Sequence, residues 1–274
     1  MDIANDLMII AFKSQIFMRN IFILLLFVST TAISQQTHQA FQDGEWFKFR
    51  IHYGWFTASY ATLEVKKEIL DGKPVHHIVG VGKSSGILSA FFKVEDYYET
   101  YINREKVIPY RFIRKINEGG HTKDIEINFD HAKKKALVHD KKRNTRRTFD
   151  TKGDIQDLMS SFYYLRNNLD TRSLKIGDEK YVDMFFDNEN YKFKLKFLGR
   201  EVIKTKLGKI SCLKFRPYVQ AERVFKEEES MTVWISDDKN RMPVKIKADI
   251  LVGSIEADLD AFKGLKHPFK IIID

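Results

Sequence analysis

Residues 47–53 read Phe-Lys-Phe-Arg-Ile-His-Tyr, an alternation of apolar and polar side chains. A period of two predicts a β-strand with one face buried and one face in water. Gly54 interrupts the pattern, and Ala61, Leu63 and Val65 resume it against polar neighbours. We therefore predict two long antiparallel strands joined by a tight turn.

The same alternation returns through most of the chain, punctuated by turn signals such as Asp71-Gly72 and Asp187-Asn188. Further strands are predicted at 75–81, 93–103, 110–116, 123–129, 136–138, 145–149, 181–186, 191–198, 201–206, 210–216, 231–236, 244–252 and 254–262. So many antiparallel strands need curvature to manage twist and edges. We predict a mainly β fold, a large antiparallel meander forming a curved sheet, half-barrel or barrel.

One segment has a different period. From Ile155 the apolar residues fall at Leu158, Met159, Phe162 and Leu165, which is helical spacing. This pattern predicts one substantial α-helix at about 155–168, with Asp154 as its N-cap and one face lying on the sheet.

The N-terminal 34 residues are typical of an export signal. Lys13 and Arg19 precede an apolar core at 21–28, and small residues follow up to Ser34. We predict cleavage before Gln35. A chain that starts at Met18 would carry a shorter and more typical form of the same signal, so we predict that the true start codon lies there. A permanent membrane anchor is the alternative, although the apolar core is shorter than the about 20 residues a spanning helix needs.

The remaining chain, 35–274, shows no linker or compositional break, so we predict a single β-rich domain. A chain of this length buries about 70–75% of the surface that its unfolded form exposes, so it needs no disulfide bonds or metal ions to fold. The one cysteine, Cys212, cannot form an internal disulfide and lies far from the predicted cleavage site. We expect an exported protein, periplasmic or attached to the cell envelope, and soluble once the signal is removed.

The chain carries a formal net charge of +9, which favours anionic partners such as a membrane surface. Export argues against nucleic acid as the partner. The densest basic groups are predicted at hairpin tips: Lys133, Lys134, Lys135, Lys141, Lys142, Arg143, Arg146 and Arg147. Charge that protects sheet edges in water is the simpler interpretation of these residues.

Several segments together resemble an exported bacterial family, domain-of-unknown-function family 3108. The first is the opening pair of strands with Gly44-Glu45 before it, and the second is Asp157-Leu-Met-Ser-Ser-Phe-Tyr-Tyr-Leu-Arg166. Gly199-Arg-Glu201, Gly208-Lys-Ile210 and Val233-Trp-Ile-Ser-Asp-Asp238 with Pro243 complete the set in the expected order. The resemblance implies an exported, β-rich protein. It implies no particular reaction, because no reaction is established for the family.

Catalytic and metal-binding patterns are weak. Gly82-Lys-Ser84-Ser-Gly86 fits a nucleophilic serine motif, but that motif requires an α/β surrounding, so a serine hydrolase at Ser84 is the weakest alternative. His76 and His77 are adjacent on a predicted strand and point to opposite faces, so they do not favour a shared metal ion. We predict no cofactor, no metal and no catalytic residue.

Aromatic residues are abundant, with 22 Phe, 11 Tyr and 3 Trp. They predict either a packed core or an apolar cavity in the curved sheet. Our leading hypothesis is a non-enzymatic envelope protein that binds a lipid or other apolar ligand. The alternative is a structural adaptor that binds another envelope protein. The candidate ligand-lining residues are Tyr53, Trp55, Phe91, Phe92, Tyr97 and Trp234.

Overall fold

The computed structural model describes residues 39–85, 93–218, 230–250 and 253–272. Within these ranges the chain forms fourteen β-strands and one α-helix. The first eight strands are β1 (Trp46–Tyr53), β2 (Phe56–Leu70), β3 (Lys73–Ser84), β4 (Glu95–Asn103), β5 (Pro109–Glu118), β6 (His121–Asp130), β7 (Lys135–Asp140) and β8 (Thr145–Asp150). Helix α1 (Leu158–Asn168) follows, and then β9 (Glu179–Phe186), β10 (Glu189–Thr205), β11 (Gly208–Tyr218), β12 (Met231–Ser236), β13 (Pro243–Asp249) and β14 (Ser254–Lys263).

All fourteen strands belong to one antiparallel sheet, in the order β8-β7-β6-β5-β4-β3-β2-β1-β14-β13-β12-β11-β10-β9. Each strand pairs with its neighbours in sequence, except that β8 and β9 are the two edges and do not pair, and β1 also pairs with β14 along its whole length. The predicted mainly β meander with one helix is confirmed.

The sheet is strongly curved. Its edge strands β8 and β9 are thirteen positions apart in strand order, and a flat sheet would separate them by about 60 Å. Instead, the ring centroids of Phe149 on β8 and Phe185 on β9 are 5.6 Å apart. The two edges therefore approach each other, as in a barrel.

Side chains and a connecting segment occupy the seam between these edges, and the two strands share no ladder. Residues after β8 run beside β9, where Gln156 N donates to Asp183 O at 2.9 Å and Phe185 N donates to Gln156 O at 2.8 Å. Asn190 Nδ2 also donates to Asp150 O at 2.9 Å. The sheet is a barrel-like curve with an open seam.

Two predicted boundaries were wrong. The strands predicted at 191–198 and 201–206 are one strand, β10, with a bulge between Phe197 and Gly199. Gly199 has a φ of +133°, a conformation that a residue without Cβ adopts easily. The helix is capped by Asp157 rather than Asp154 and begins at Leu158.

A buried ion pair anchors the helix. Arg166 donates from Nη1 and Nη2 to the two carboxylate oxygens of Glu45 at 2.6 and 2.8 Å. Its Nε also donates to Asn240 O at 3.1 Å. The rings of Phe41, Phe47, Phe162 and Tyr163 lie within 5.6 Å of the guanidinium carbon. This arrangement joins α1 to the residues just before β1 and to the β12–β13 connection.

The segment after β14 returns to the same region. Gln42 Nε2 donates to Gly264 O at 3.2 Å, and His267 Nε2 donates to Gln39 O at 2.9 Å. Asn240 Nδ2 donates to His267 O at 3.0 Å. The first and last parts of the described chain are therefore held together beside the ion pair.

Candidate functional site

The N-terminus of α1 fixes how the helix is rotated. The Asp157 carboxylate accepts hydrogen bonds from Met159 N at 2.7 Å and Ser160 N at 2.8 Å, while Ser160 Oγ accepts one from Asp157 N at 2.8 Å. This is a capping box. Thr100 Oγ1 on β4 also donates to Asp157 at 2.5 Å. Burial raises the pKa of Asp157 to about 6, although these donors act in the opposite direction.

With that rotation, α1 buries an unusual set of side chains. Ser160, Ser161, Tyr163 and Arg166 are its buried residues. The apolar residues Leu158, Phe162 and Leu165, spaced along one helical face, instead line a hollow in front of β9–β13. Leu158 remains 42% exposed. The apolar stripe was predicted to lie on the sheet. Met159 and Phe162 do pack against a buried cluster with Val65, Ile78 and Ile102 of β2–β4, while Leu158 stays partly open to the hollow.

The opposite wall of this hollow comes from alternate residues of neighbouring strands. Phe193 and Leu195 on β10, Phe215 on β11, Val233 on β12 and Ile246 on β13 point into it. These residues are paired or adjacent across the ladders, so they form one continuous surface. The volume of the hollow is about 400 Å³. We call it the apolar cavity.

Polar atoms contribute little to the wall of the apolar cavity. Ser161 Oγ donates to Leu158 O at 2.8 Å inside the helix. Arg166, which also borders the cavity, is bound to Glu45 and Asn240. The hydroxyl of Tyr163, another lining residue, is buried and has no hydrogen-bond partner among the described residues. Apart from that hydroxyl, the surface offered to an occupant is aliphatic, aromatic and thioether.

The predicted ligand-lining aromatics lie elsewhere. Trp55 is 93% exposed in the β1–β2 turn, and Tyr53 is exposed at the end of β1. Tyr97 on β4 donates from its hydroxyl to Glu95 at 3.1 Å, and Lys83 Nζ lies 5.3 Å from its ring centroid. Phe91 and Phe92 fall outside the described residues.

Trp234 illustrates why these residues are separated. It lies on β12 between Val233 and Ile235, which line the apolar cavity, so alternation turns Trp234 to the other face of the sheet. There its Nε1 donates to Glu201 at 3.1 Å and the ring lies between Lys214 and Lys245. None of the four predicted aromatics that the structure describes lines the apolar cavity. The alternation from Tyr191 to Phe197 was the sequence signal for the wall of the apolar cavity.

Sequence comparison identifies the family. A model described as "Protein of unknown function (DUF3108)" matches residues 48–260, which include α1 and nearly the whole sheet. The chain belongs to the DUF3108 family. This confirms the resemblance found in the sequence. No curated protein sequence matches the chain.

Three solved structures resemble the chain to different degrees. A β-barrel-like protein of family DUF1849 from Brucella abortus has a TM-score of 0.53 at 10% identity, covering 83% of this DUF3108 chain and 99% of its own. A DUF1089 family protein from Pseudomonas aeruginosa has a TM-score of 0.36 at 9% identity, with coverages of 72% and 90%. A Parabacteroides distasonis protein described as a candidate lipoprotein has a TM-score of 0.30 at 14% identity, with coverages of 84% and 100%. Of the three, the Brucella likeness alone is strong enough to support the barrel-like fold.

The basic residues of this DUF3108 protein divide into two groups. Lys133 and Lys134 occupy the β6–β7 turn, whereas Lys141, Lys142 and Arg143 occupy the β7–β8 turn at the other end of β7. Lys135 starts β7, where its Nζ lies 2.5 Å from Asp150. Arg146 and Arg147 lie on the edge strand β8. The sequence clusters therefore do not form one patch.

Ser84 is the last residue of β3, within an antiparallel ladder. Its hydroxyl accepts a hydrogen bond from Val94 N at 2.9 Å. A nucleophilic serine of the predicted motif requires a strand-to-helix turn, so this geometry does not favour the hydrolase alternative. The Gly86 position of the motif lies outside the described residues.

Histidines pair mainly with carboxylates. His76 Nδ1 lies 2.6 Å from Asp43, and the two ring nitrogens of His77 lie 2.6 and 2.9 Å from Glu68 and Glu99. The His76 pKa is lowered because burial outweighs the Asp43 hydrogen bond. Each histidine thus belongs to its own side-chain network.

One described cluster, His52 with Glu256 and Asp258, has ligand atoms within 4.8 Å of one another. Lys245 Nζ lies 2.5 Å from Glu256, and Arg50 Nη2 lies 3.7 Å from Asp258. These cations already neutralise the carboxylates, so the geometry does not favour a metal ion there. Among the helices that the structure describes, none has the length and apolar character needed to cross a bilayer.

Proposed function

We propose that this DUF3108 protein is a non-enzymatic cell-envelope protein that holds an apolar ligand, such as a lipid acyl chain, in the apolar cavity. The observation that carries the proposal is the apolar cavity itself, about 400 Å³ in volume with an almost entirely apolar wall. Ligand pockets commonly have volumes of about 300–1,000 Å³. The cavity is within that range.

Energetics favour an aliphatic occupant. Each buried methylene gains about 0.8 kcal/mol when it leaves water. A polar ligand would lose its hydrogen bonds to water and would find few free partners in this wall. The partly exposed Leu158 and the half-buried Phe162 and Leu165 are the side chains that such an occupant would cover.

The envelope location is part of the same proposal and rests on the N-terminal sequence. Residues 1–34 fit an export signal, and they lie outside the described structure. Intact-mass measurement of the protein from its own envelope should give a chain that begins at Gln35. A chain that retained the apolar segment would instead support a membrane anchor.

The ligand is tested by native mass spectrometry of protein purified from its own envelope, followed by organic extraction and lipid analysis. We expect a stoichiometric apolar molecule that is released by extraction. A bare polypeptide mass, together with no binding of a fluorescent long-chain fatty acid, would contradict the proposal.

Leucine positions of equal exposure supply a matched control. Leu158, 42% exposed, lines the apolar cavity, whereas Leu137, 41% exposed, lies on β7 and does not. Overpacking costs about 1–3 kcal/mol, so Leu158→Trp should weaken fatty-acid binding about tenfold. Leu137→Trp should leave binding unchanged. Equal affinities in the two variants would place the ligand elsewhere.

The adaptor alternative has a different signature. Crosslinking in intact cells would recover one dominant protein partner, and lipid occupancy would not respond to Leu158→Trp. Loss of lipid in that variant without a dominant crosslinked partner supports the apolar cavity.

A further inference from the structure

A second hollow, of about 390 Å³, lies at the seam of the sheet. Its floor is formed by Phe112, Ile127 and Val138 on β5, β6 and β7, and one wall by the β9–β10 turn at Asp187. The remaining wall is basic. Its lysine and arginine residues are Arg114 on β5, Lys123 on β6, Lys142 and Arg143 in the β7–β8 turn, and Arg147 on β8. We call this hollow the basic pocket.

The positive charge of the basic pocket exceeds what its own acids neutralise. Asp140 and Asp187 are its carboxylates, against five lysine and arginine side chains, which leaves an excess of three positive charges among these seven residues. Asp187 is 2.8 Å from Arg114 and 3.5 Å from Lys123. Asp140 is 3.3 Å from Arg143.

Two donors in this wall have no partner among the residues that the structure describes. The side chain of Arg147 is exposed on β8 and makes no ion pair and no hydrogen bond with the described residues. The Nε of Arg114 is buried and also lacks a hydrogen-bond partner, although its Nη1 contacts Asp187. A buried donor without a partner is costly, so the buried Nε of Arg114 leaves this wall incomplete.

We infer that the basic pocket binds a phosphate group, either as a free phosphate or as part of a lipid head group. Guanidinium groups match phosphate oxygens with two parallel hydrogen bonds, and lysine adds a point charge. A doubly charged anion would neutralise most of the excess of three charges. It would also contact β8 through Arg147 and β5 through Arg114, joining strands on one side of the seam. This inference rests on charge and does not require an occupant in the apolar cavity.

Isothermal titration calorimetry with the full mature chain tests the inference. The ionic strength is held constant, because salt screens exposed charges. One titrant is inorganic phosphate, and the other is a short-chain phosphatidic acid below its micelle concentration. We expect saturable one-to-one binding with at least one of them.

Adjacent residues on β8 provide the control. Arg147 lines the basic pocket, while Arg146 has the opposite orientation on the same strand and pairs with His139 in the ladder. Arg147→Gln should weaken binding about tenfold, as expected for loss of a charged hydrogen bond. Arg146→Gln makes the same charge change on an exposed edge and should change affinity less than twofold.

Each outcome decides the inference. If inorganic phosphate binds the wild type and this binding is lost in Arg147→Gln, a free phosphate is sufficient for binding in the basic pocket. Binding of the short-chain lipid alone, with the same dependence on Arg147, supports a lipid head group. The inference is overturned if neither titrant saturates, or if both variants lose affinity equally, because the protein's overall charge would then explain the attraction.

Discussion

Arg166 is among the largest fully buried side chains of the described structure. Arg166 lies at the end of α1, yet both it and Glu45 are almost fully buried. The sequence placed Arg166 after an apolar helical pattern, where a charged residue normally marks the solvent side. Nothing in that local pattern reveals Glu45, which is distant in sequence, or the four rings around the guanidinium. Burial of this pair could not be predicted, because it depends on how the curved sheet brings distant segments together.

Replacing Glu45 by glutamine should strongly destabilise the fold. The change leaves Arg166 charged and buried, which costs about 3–5 kcal/mol of unfolding free energy. Urea denaturation measures the loss. Glu64→Gln is the matched control, since Glu64 pairs with Lys66 at 3.4 Å on an exposed face and such pairs contribute about 0–1 kcal/mol. Similar losses in the two variants would show that the buried pair does not stabilise the fold.

Asp157 should make stability depend on pH. Its pKa is raised from 3.8 to about 6 in the folded protein by burial, so the folded state binds more protons than the unfolded state between these values. The free energy of unfolding therefore falls as pH rises through that window. We expect the wild type to lose about 2–3 kcal/mol relative to Asp157→Asn between pH 4 and pH 7. The pKa of Asp96 is also raised to about 6 by burial. Because Asp96 is present in both proteins, the unfolding free energy of Asp157→Asn should still fall somewhat as pH rises. Parallel pH profiles for the two proteins would contradict the prediction.

Individual elements were well predicted wherever one face is buried and the other is wet. The alternation in β1, β2 and β10 gave strands with correct faces, and the spacing from Leu158 to Leu165 gave α1. What the pattern could not show is which surface an apolar face meets. The stripe on α1 was expected to pack on the sheet. Met159 and Phe162 do so, but Leu158, Phe162 and Leu165 also line the apolar cavity. Trp234 was assigned to a ligand wall by residue type, although its position between Val233 and Ile235 already indicated the opposite face.

The connection after β14 depends on one glycine. Gly264 has a φ of +69°, and a Cβ there would overlap the backbone of Gly44. Gly264→Ala should therefore lower the free energy of unfolding by more than about 2 kcal/mol, because backbone strain and a steric clash add.

Gly72→Ala is the control for this change, since Gly72 has a φ of +77° and open space around its Cβ position. It should cost only about 1–2 kcal/mol for the left-handed backbone. Thermal unfolding of both variants measures the difference. Equal costs would mean that the end of the chain is not held against the start of the sheet as described.

At the level of the whole molecule, the antiparallel meander followed from counting strands and turns. The close approach of the two edges could not be predicted, because alternation says nothing about how far a sheet curls. The contacts of Phe149 with Phe185 and of Gln156 with β9 decide that the edges meet. The basic pocket was also beyond sequence analysis, since Arg114, Lys123 and Arg147 come together only after β5 to β8 are aligned.

The open seam should be visible in hydrogen exchange. Amides of β8 have a sheet partner on one side only, whereas those of β2 lie between β1 and β3. We expect the slowest amides of β8 to exchange at least about tenfold faster than the slowest amides of β2. Mass spectrometry of proteolytic peptides would resolve the two strands. Equal protection would indicate a continuous ladder across the seam.

The strand order also has a kinetic consequence. Every ladder but one joins strands that follow each other in sequence. The strands β1–β8 and β9–β14 therefore form two halves, and each half can add one strand at a time by local pairing. The pairing of β1 with β14 is different, because Trp46 must meet Lys263 across almost the entire described chain. Closing so long a loop is entropically costly, and such contacts slow folding. We therefore expect the β1–β14 ladder to form after the ladders within each half.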